Sequence, residues 1–226
     1  MGQGNEQVRA SRQYHSPRRA EQAAATRQAV LAAAWELFVS TGYAATTVVD
    51  IAARARVSVD TVYAVAGRKP TLLRELLQTA LSGADKAGPA APDEQRDHVR
   101  PVRGAGTARE KIAVYAHAIA ELQQRRAPVF LALRDAAATD PECAALWEEI
   151  SRRRAKNMRF FAADLRSTGE LRGDLSDEEV ADIVWSMNAA EYWALLVHER
   201  GWSPSRFTAW IIDAWTRLLL RPPPRR

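Results

Sequence analysis

Along most of this chain the apolar residues return every three or four positions, the spacing that puts them on one face of an α-helix. Val30, Ala33, Ala34, Leu37, Phe38 and Thr41 form such a stripe from about Arg27 to Thr41, widened by Leu31 and Trp35, and Gly42 stands where a helix end needs a left-handed residue. Val48, Ile51, Ala52 and Ala55 share a second, shorter face, preceded by Thr47 with Asp50 three residues on, the form of a capping box. A turn at Arg56-Val57-Ser58 follows, and Ser58 can cap a third helix through Val59, Asp60, Thr61, Val62 and Tyr63. Arg56 in a left-handed turn position costs roughly 1 kcal/mol relative to glycine. Helices of about two turns are not stable alone, so these two must pack on the helix before them. A small-residue helix, a three-residue turn and a second helix with polar positions fit a helix-turn-helix, whose second helix enters the DNA major groove.

Beyond the turn, Pro70 opens a fourth helix lined by Leu72, Leu73, Leu76, Leu77, Ala80 and Leu81. Residues 82–106 contain four glycines and three prolines and read as a flexible loop. Thr107 and Glu110 form another capping box for a helix to about Arg126, and Pro128 starts a separate one to about Thr139. Pro141 opens a long helix to about Ser167. Ser176 caps the next, apolar over most of its surface through Val180, Val184, Met187, Tyr192, Trp193 and Leu195, and Ser203-Pro204 starts the last. The expected fold class is all-α: a three-helix head at 27–73 joined to a helical body at 74–220, with polar tails at 1–26 and 221–226. The first tail is read as disordered, with a basic arm reaching DNA as its alternative.

With 226 residues and 47% hydrophobic content, the chain can bury a proper core. One cysteine, Cys143, excludes an internal disulfide, and no Cys/His cluster points to a metal. No apolar run is long enough for a membrane helix and the N-terminus does not read as a signal peptide, so a cytoplasmic protein is expected. The formal charge is +5, of which +4 falls within residues 1–81, so the basic excess sits with the candidate reader. The basic run Arg152-Arg153-Arg154-Ala155-Lys156 spreads round a helix beside Glu148 and Glu149 and is read as a solvated face.

No motif for a nucleophile, a phosphate loop, a metalloprotease or a dinucleotide is present, so no catalytic residue and no cofactor is expected. The histidines His15, His98, His117 and His198 are scattered, and Cys143 near a helix start is a weak case for a reactive thiol. A small-molecule pocket has more support. Six of the seven tryptophans follow residue 140, and helical bundles place ligands in apolar gaps with a few polar groups. The candidates are Tyr115, Trp147, Phe161, Trp185, Asn188, Glu191 and Tyr192. Broad apolar stripes on the last two helices, with Val180, Val184, Met187, Trp210, Ala214, Trp215 and Leu218, suit an interface with a second copy.

The series Gly42-Tyr43, Thr46-Thr47, Asp50-Ile51-Ala52, Ala55, Val57-Ser58, Thr61-Val62-Tyr63, Lys69, Leu72-Leu73 resembles the DNA-binding domain of the TetR family of bacterial transcriptional regulators. The resemblance implies a homodimer on a palindromic operator in double-stranded DNA, most often a repressor, released by a small-molecule effector bound in the body. Thr46, Thr47, Arg56, Arg68 and Lys69 are then expected on or near phosphates, Ser58 at the start of the reading helix, and Val59, Asp60, Thr61 and Tyr63 facing the groove. The family's usual aromatic segment after the tyrosine is replaced here by Ala64-Val65-Ala66-Gly67. The alternative is a small-molecule-binding helical protein without a transcriptional role.

Overall fold

The computed structural model describes residues 17–82 and 99–222. Helix α1 (Pro17–Ser40) is the platform of the head. Its Val30, Ala34 and Phe38 share a core with Ile51 of α2 (Val48–Ala55), Val62 and Ala66 of α3 (Val59–Ala66), and Leu72, Leu73 and Leu76 of α4 (Lys69–Ser82). The helix starts at Pro17, where a disordered tail was expected to run to residue 26. Residues 20–26 have mostly exposed side chains, so no apolar stripe announces them. Alanine, glutamine and glutamate favour a helix, however, and extending one already anchored by packing needs no new nucleus. The rest of that tail, with His15, lies outside the described residues, as do residues 223–226.

The body is built round α6 (Ala108–Ala137), which packs against α4, α7 (Pro141–Arg166), α10 (Pro204–Leu219) and the short α5 (Val99–Gly104) and α9 (Ala190–Trp193). Helix α8 (Asp177–Met187) lies on α7. Helix α4 touches both α1 and α6, so it belongs to head and body at once. Among the described residues no helix is long and apolar enough to cross a membrane, and the extended pairing is an isolated bridge between Leu171 and Leu220 that pins the end of α10 to the loop after α7.

Three expectations fail here for identifiable reasons. The stretch to 106 was read as loop, but α5 forms within it because Val102 is buried and the ammonium of Lys111 donates to the carbonyls of Val102 and Arg103, both at 3.1 Å. A cation on the last carbonyls is a favourable helix end. The remainder of that loop, residues 83–98 with His98, lies outside the described residues. Pro128 was expected to separate two helices and instead sits inside α6. The ring costs about 3 kcal/mol in a helix interior, and burial of Ala127, Val129, Phe130 and Leu133 on both sides of it offsets that. Lastly, the apolar helix after Ser176 is not continuous: it stops at Asn188, passes an extended Ala189, and resumes as α9 and a π-helical segment, Ala194–Glu199.

Candidate DNA-reading head and effector cavity

The reader is held together by side-chain bonds to its own backbone. The Thr47 hydroxyl accepts from the Asp50 amide at 3.1 Å, and the Asp50 carboxylate accepts from the Thr47 amide at 2.8 Å. These bonds hold the Asp50 carboxyl below its ordinary pKa. Helix α2 ends at Arg56 in the left-handed region, φ 57° and ψ 42°, the one non-glycine residue with positive φ among those described. The amide of Val57 reaches the Ala52 carbonyl at 3.0 Å and that of Arg56 reaches the Ala53 carbonyl at 3.2 Å, the paired closure that turns a chain sharply off a helix. Ser58 then accepts from the Thr61 amide at 3.1 Å and starts α3. The exposed face of α3 is Asp60, Tyr63 and Ala64, with Tyr63 half exposed, while Val59 and Thr61 are half-buried.

The cations near the reader are mostly committed within the molecule. Arg54 pairs with Glu36 of α1. Arg27 of α1 donates to the Val65 carbonyl and to Glu75, tying α1 to α3 and α4 where the Ala64-to-Gly67 segment offers no aromatic bulk. Lys69 donates to the Tyr43 carbonyl at 2.7 Å with its ammonium 4.2 Å from the Tyr43 ring centre, and burial lowers its pKa against the pull of Asp140. Arg68 pairs with Glu142 at 3.3 Å. The Tyr43 hydroxyl donates to Asp140 at 2.9 Å, and the other oxygen of Asp140 caps α7 through the amides of Glu142 and Cys143. Burial pushes the Tyr43 hydroxyl pKa up. Head and body are thus latched by Tyr43 and Arg68 on one side and Asp140 and Glu142 on the other, with Lys69 bracing Tyr43.

In the body a cavity of about 210 Å³ lies between α5, α6, α7 and the end of α8. Tyr115 forms its floor, its ring 4.5 Å from Phe161 and 5.8 Å from Trp215 between centroids. The Tyr115 hydroxyl accepts from the Asn188 amide nitrogen at 3.0 Å, and burial, which outweighs the opposing effects of Asn188, Arg154 and Arg126, pushes its pKa up to about 12. Ile119, Leu122, Phe130 and Met158 add apolar wall; Gln123, Asn157, Arg103, Arg126, Arg153 and Arg154 add polar groups. Arg154 donates to Asn188 Oδ1 at 2.7 Å and to the Trp185 carbonyl at 3.2 Å, and burial pulls its pKa down.

Residues 30–76 match the family described as bacterial regulatory proteins, tetR family. The head is therefore a tetR-type DNA-binding domain. No curated protein matches its sequence. Among solved structures it is similar to NalD, the secondary repressor of the MexAB-OprM multidrug efflux pump in Pseudomonas aeruginosa, at 20% identity over 89% of this chain and 98% of that one, with a TM-score of 0.67. A Saccharomonospora viridis protein assigned as a transcriptional regulator, in complex with choline, is 18% identical over 88% and 100% of the two chains, with a TM-score of 0.64. The TetR family regulator PfmR of Thermus thermophilus is 23% identical over 87% and 96%, with a TM-score of 0.62. Members of this family are transcription regulators, not enzymes.

The residues expected at the sites divide sharply. Thr47, Arg56, Ser58, Asp60 and Tyr63 are exposed on the reader. Thr46 is not: it is buried, its hydroxyl donating to the Gly42 carbonyl at 2.8 Å, so it staples the turn after α1. Arg68 pairs with Glu142 of α7, and Lys69 is engaged with the Tyr43 carbonyl. In the cavity, Tyr115, Phe161 and Asn188 come together, but Trp147, Glu191, Tyr192 and Trp185 do not line it. The break at Asn188 explains two of these. On a continuous helix Asn188, Glu191 and Tyr192 share a face; after the extended Ala189, Glu191 pairs with Arg134 at 3.0 Å and the Tyr192 hydroxyl accepts from Trp210 at 2.7 Å. Trp185 stands behind Arg154, its ring centre 5.1 Å from the guanidinium carbon. Trp147 packs partly buried on the core instead.

The interface residues divide in the same way. Val180, Val184 and Trp215 have no exposed surface and Ala214 is buried, so these four belong to the protomer's own core; Met187 is half-buried, and Trp210 and Leu218 are exposed. Cys143 is buried and burial raises its thiol pKa, which rules against a reactive thiolate. Arg154 is the residue that sequence reasoning missed. It was read as part of a solvated basic face, and the available signal, its fit to the stripe of Ile150 and Met158 at helical spacing, was weak beside Arg152, Arg153 and Lys156.

Proposed function

We propose that this regulator is a homodimeric repressor that binds a palindromic operator and leaves it when a small molecule fills the body cavity. The observation that carries the reading is continuity: α3 and α4 both pack on α1, α4 packs on α6, and α6 walls the cavity. Differential binding of a ligand to two arrangements of the body would then shift the head. Asp60 and Tyr63 are proposed to face base edges, with Thr47, Ser58 and Arg56 near phosphates. The pairing face is proposed to centre on Leu195, Trp210 and Leu218, the exposed large apolar residues of the last segments, which would set two readers about one DNA turn apart. Support for an effector cavity in this fold includes the choline complex of the Saccharomonospora viridis relative.

Selection of bound duplexes from a random pool tests reader and dimer together. The expected product is an inverted repeat with half-sites spaced by about one helical turn. A single, non-repeated site would sink the dimer. Absence of any enriched sequence at moderate salt would favour a ligand-binding protein without a transcriptional role.

A further inference from the structure

Arg154 is the most informative group in the cavity. Its guanidinium is largely withdrawn from water and makes no ion pair among the described residues; its bonds run to a neutral amide oxygen and a backbone carbonyl. The acid nearest in effect, Glu191, is held by Arg134. A buried cation without a counter-charge is costly, and proteins retain such a group where something else supplies the missing charge. The other ionisable groups on the cavity wall compound the imbalance. Arg103 and Arg153 form no ion pair among the described residues, and the one acid on the wall, Asp164, is bound at 3.0 Å by the buried Lys111. Much of the remaining wall is aromatic and aliphatic, from Tyr115, Phe130, Phe161 and Ile119.

We propose that the effector is an amphipathic anion, a carboxylate or comparable group on an apolar body, with its charge on Arg154 and its body along Tyr115, Phe130 and Phe161. This deepens the effector reading above and rests on the same cavity. A guanidinium has five donors in a planar fork, so Arg154 can keep its bonds to Asn188 and Trp185 and still grip a carboxylate. Arg126 supplies a second cation that also holds α4, so an anion drawing on it bears directly on the connection to the head. A cationic ligand meets four arginines there and is rejected by like charge.

The test is calorimetric titration of the full chain, without DNA, with straight-chain carboxylates from hexanoate to tetradecanoate, the matching neutral amides and the matching alkyltrimethylammonium ions. The carboxylates are expected to bind at least about tenfold tighter than the amides, and the ammonium ions not measurably. Arg154→Gln is expected to erase the carboxylate advantage while leaving amide affinity unchanged, and Arg154→Lys to restore most of it. A loss of protein integrity in Arg154→Gln would lower amide affinity as well, and the wild-type series then decides alone. Equal affinities, tighter binding of the ammonium ions, or no carboxylate binding at millimolar concentration overturns the proposal. Because DNA is absent, carboxylate binding that fails to release an operator would remove the switching function and leave the ligand class standing.

Discussion

The head and the body use the same secondary structure but fix it differently. In the head, short helices are set by bonds spanning three residues or so: Thr47 with Asp50, Arg56 with Ala53, Ser58 with Thr61. In the body, long helices are interrupted at Asn188 and run through Pro128, and the groups that matter meet across large sequence separations, as Arg154 and Tyr115 both do with Asn188. A reader must keep one shape to match a groove. A cavity wall that includes a helix break at Asn188 can have more than one arrangement.

The largest expected effect that would break this contrast comes from Trp215. It is fully buried and stacked on Tyr115, so Trp215→Ala is expected to cost about 3–5 kcal/mol, read as a lowered denaturant midpoint independent of protein concentration. A loss appearing only as dimer dissociation would place Trp215 at the interface instead. Next comes the latch. Tyr43→Phe removes the hydroxyl bond to the ionised Asp140 and is expected to cost about 1.5–3 kcal/mol; if head and body are coupled through it, their unfolding transitions should also separate in a thermal scan.

Thr47→Ala should cost about 1 kcal/mol by loss of the helix cap. It also carries a pH signature. The Asp50 carboxyl, held down by Thr47, is below its ordinary value of 3.8 in the folded chain, so its stabilising bond is fully present above that value and is lost as pH falls through the folded pKa. The stability difference between wild type and Thr47→Ala should therefore narrow as pH falls without vanishing, because the Thr47 hydroxyl still accepts from the Asp50 amide; a difference independent of pH would show that the Asp50 carboxylate does not matter. The smallest effect is expected at Arg56. Arg56→Gly relieves the left-handed strain and should gain up to about 1 kcal/mol. If Arg56 meets a phosphate, the same change weakens DNA binding and lowers the salt slope by about one. Unchanged DNA affinity would remove Arg56 from the interface.

Much of the head was legible because its signals are local. The caps at Thr47, Ser58, Thr107 and Ser176 were all readable from residue type and spacing, and all four are present. The failures share a cause. Thr46 and Lys69 have residue types suited to phosphate, but their partners, the carbonyls of Gly42 and Tyr43, are backbone atoms that no side-chain pattern reveals. Val180, Val184 and Trp215 were assigned to a partner because a stripe says that a face is buried, not what buries it.

The sequence by itself determined the helical class, the order of the head's elements, the tight turn at Arg56 and the membership of the head in a family of readers, since periodicity and capping act within a few residues. Only the tertiary structure decided that Arg154 is an inward cation, that Asn188 breaks a helix to cap a cavity, and that Tyr43 and Arg68 hold the head to the body. Those outcomes depend on which helix packs against which, and the cost of burying charge is set by that packing.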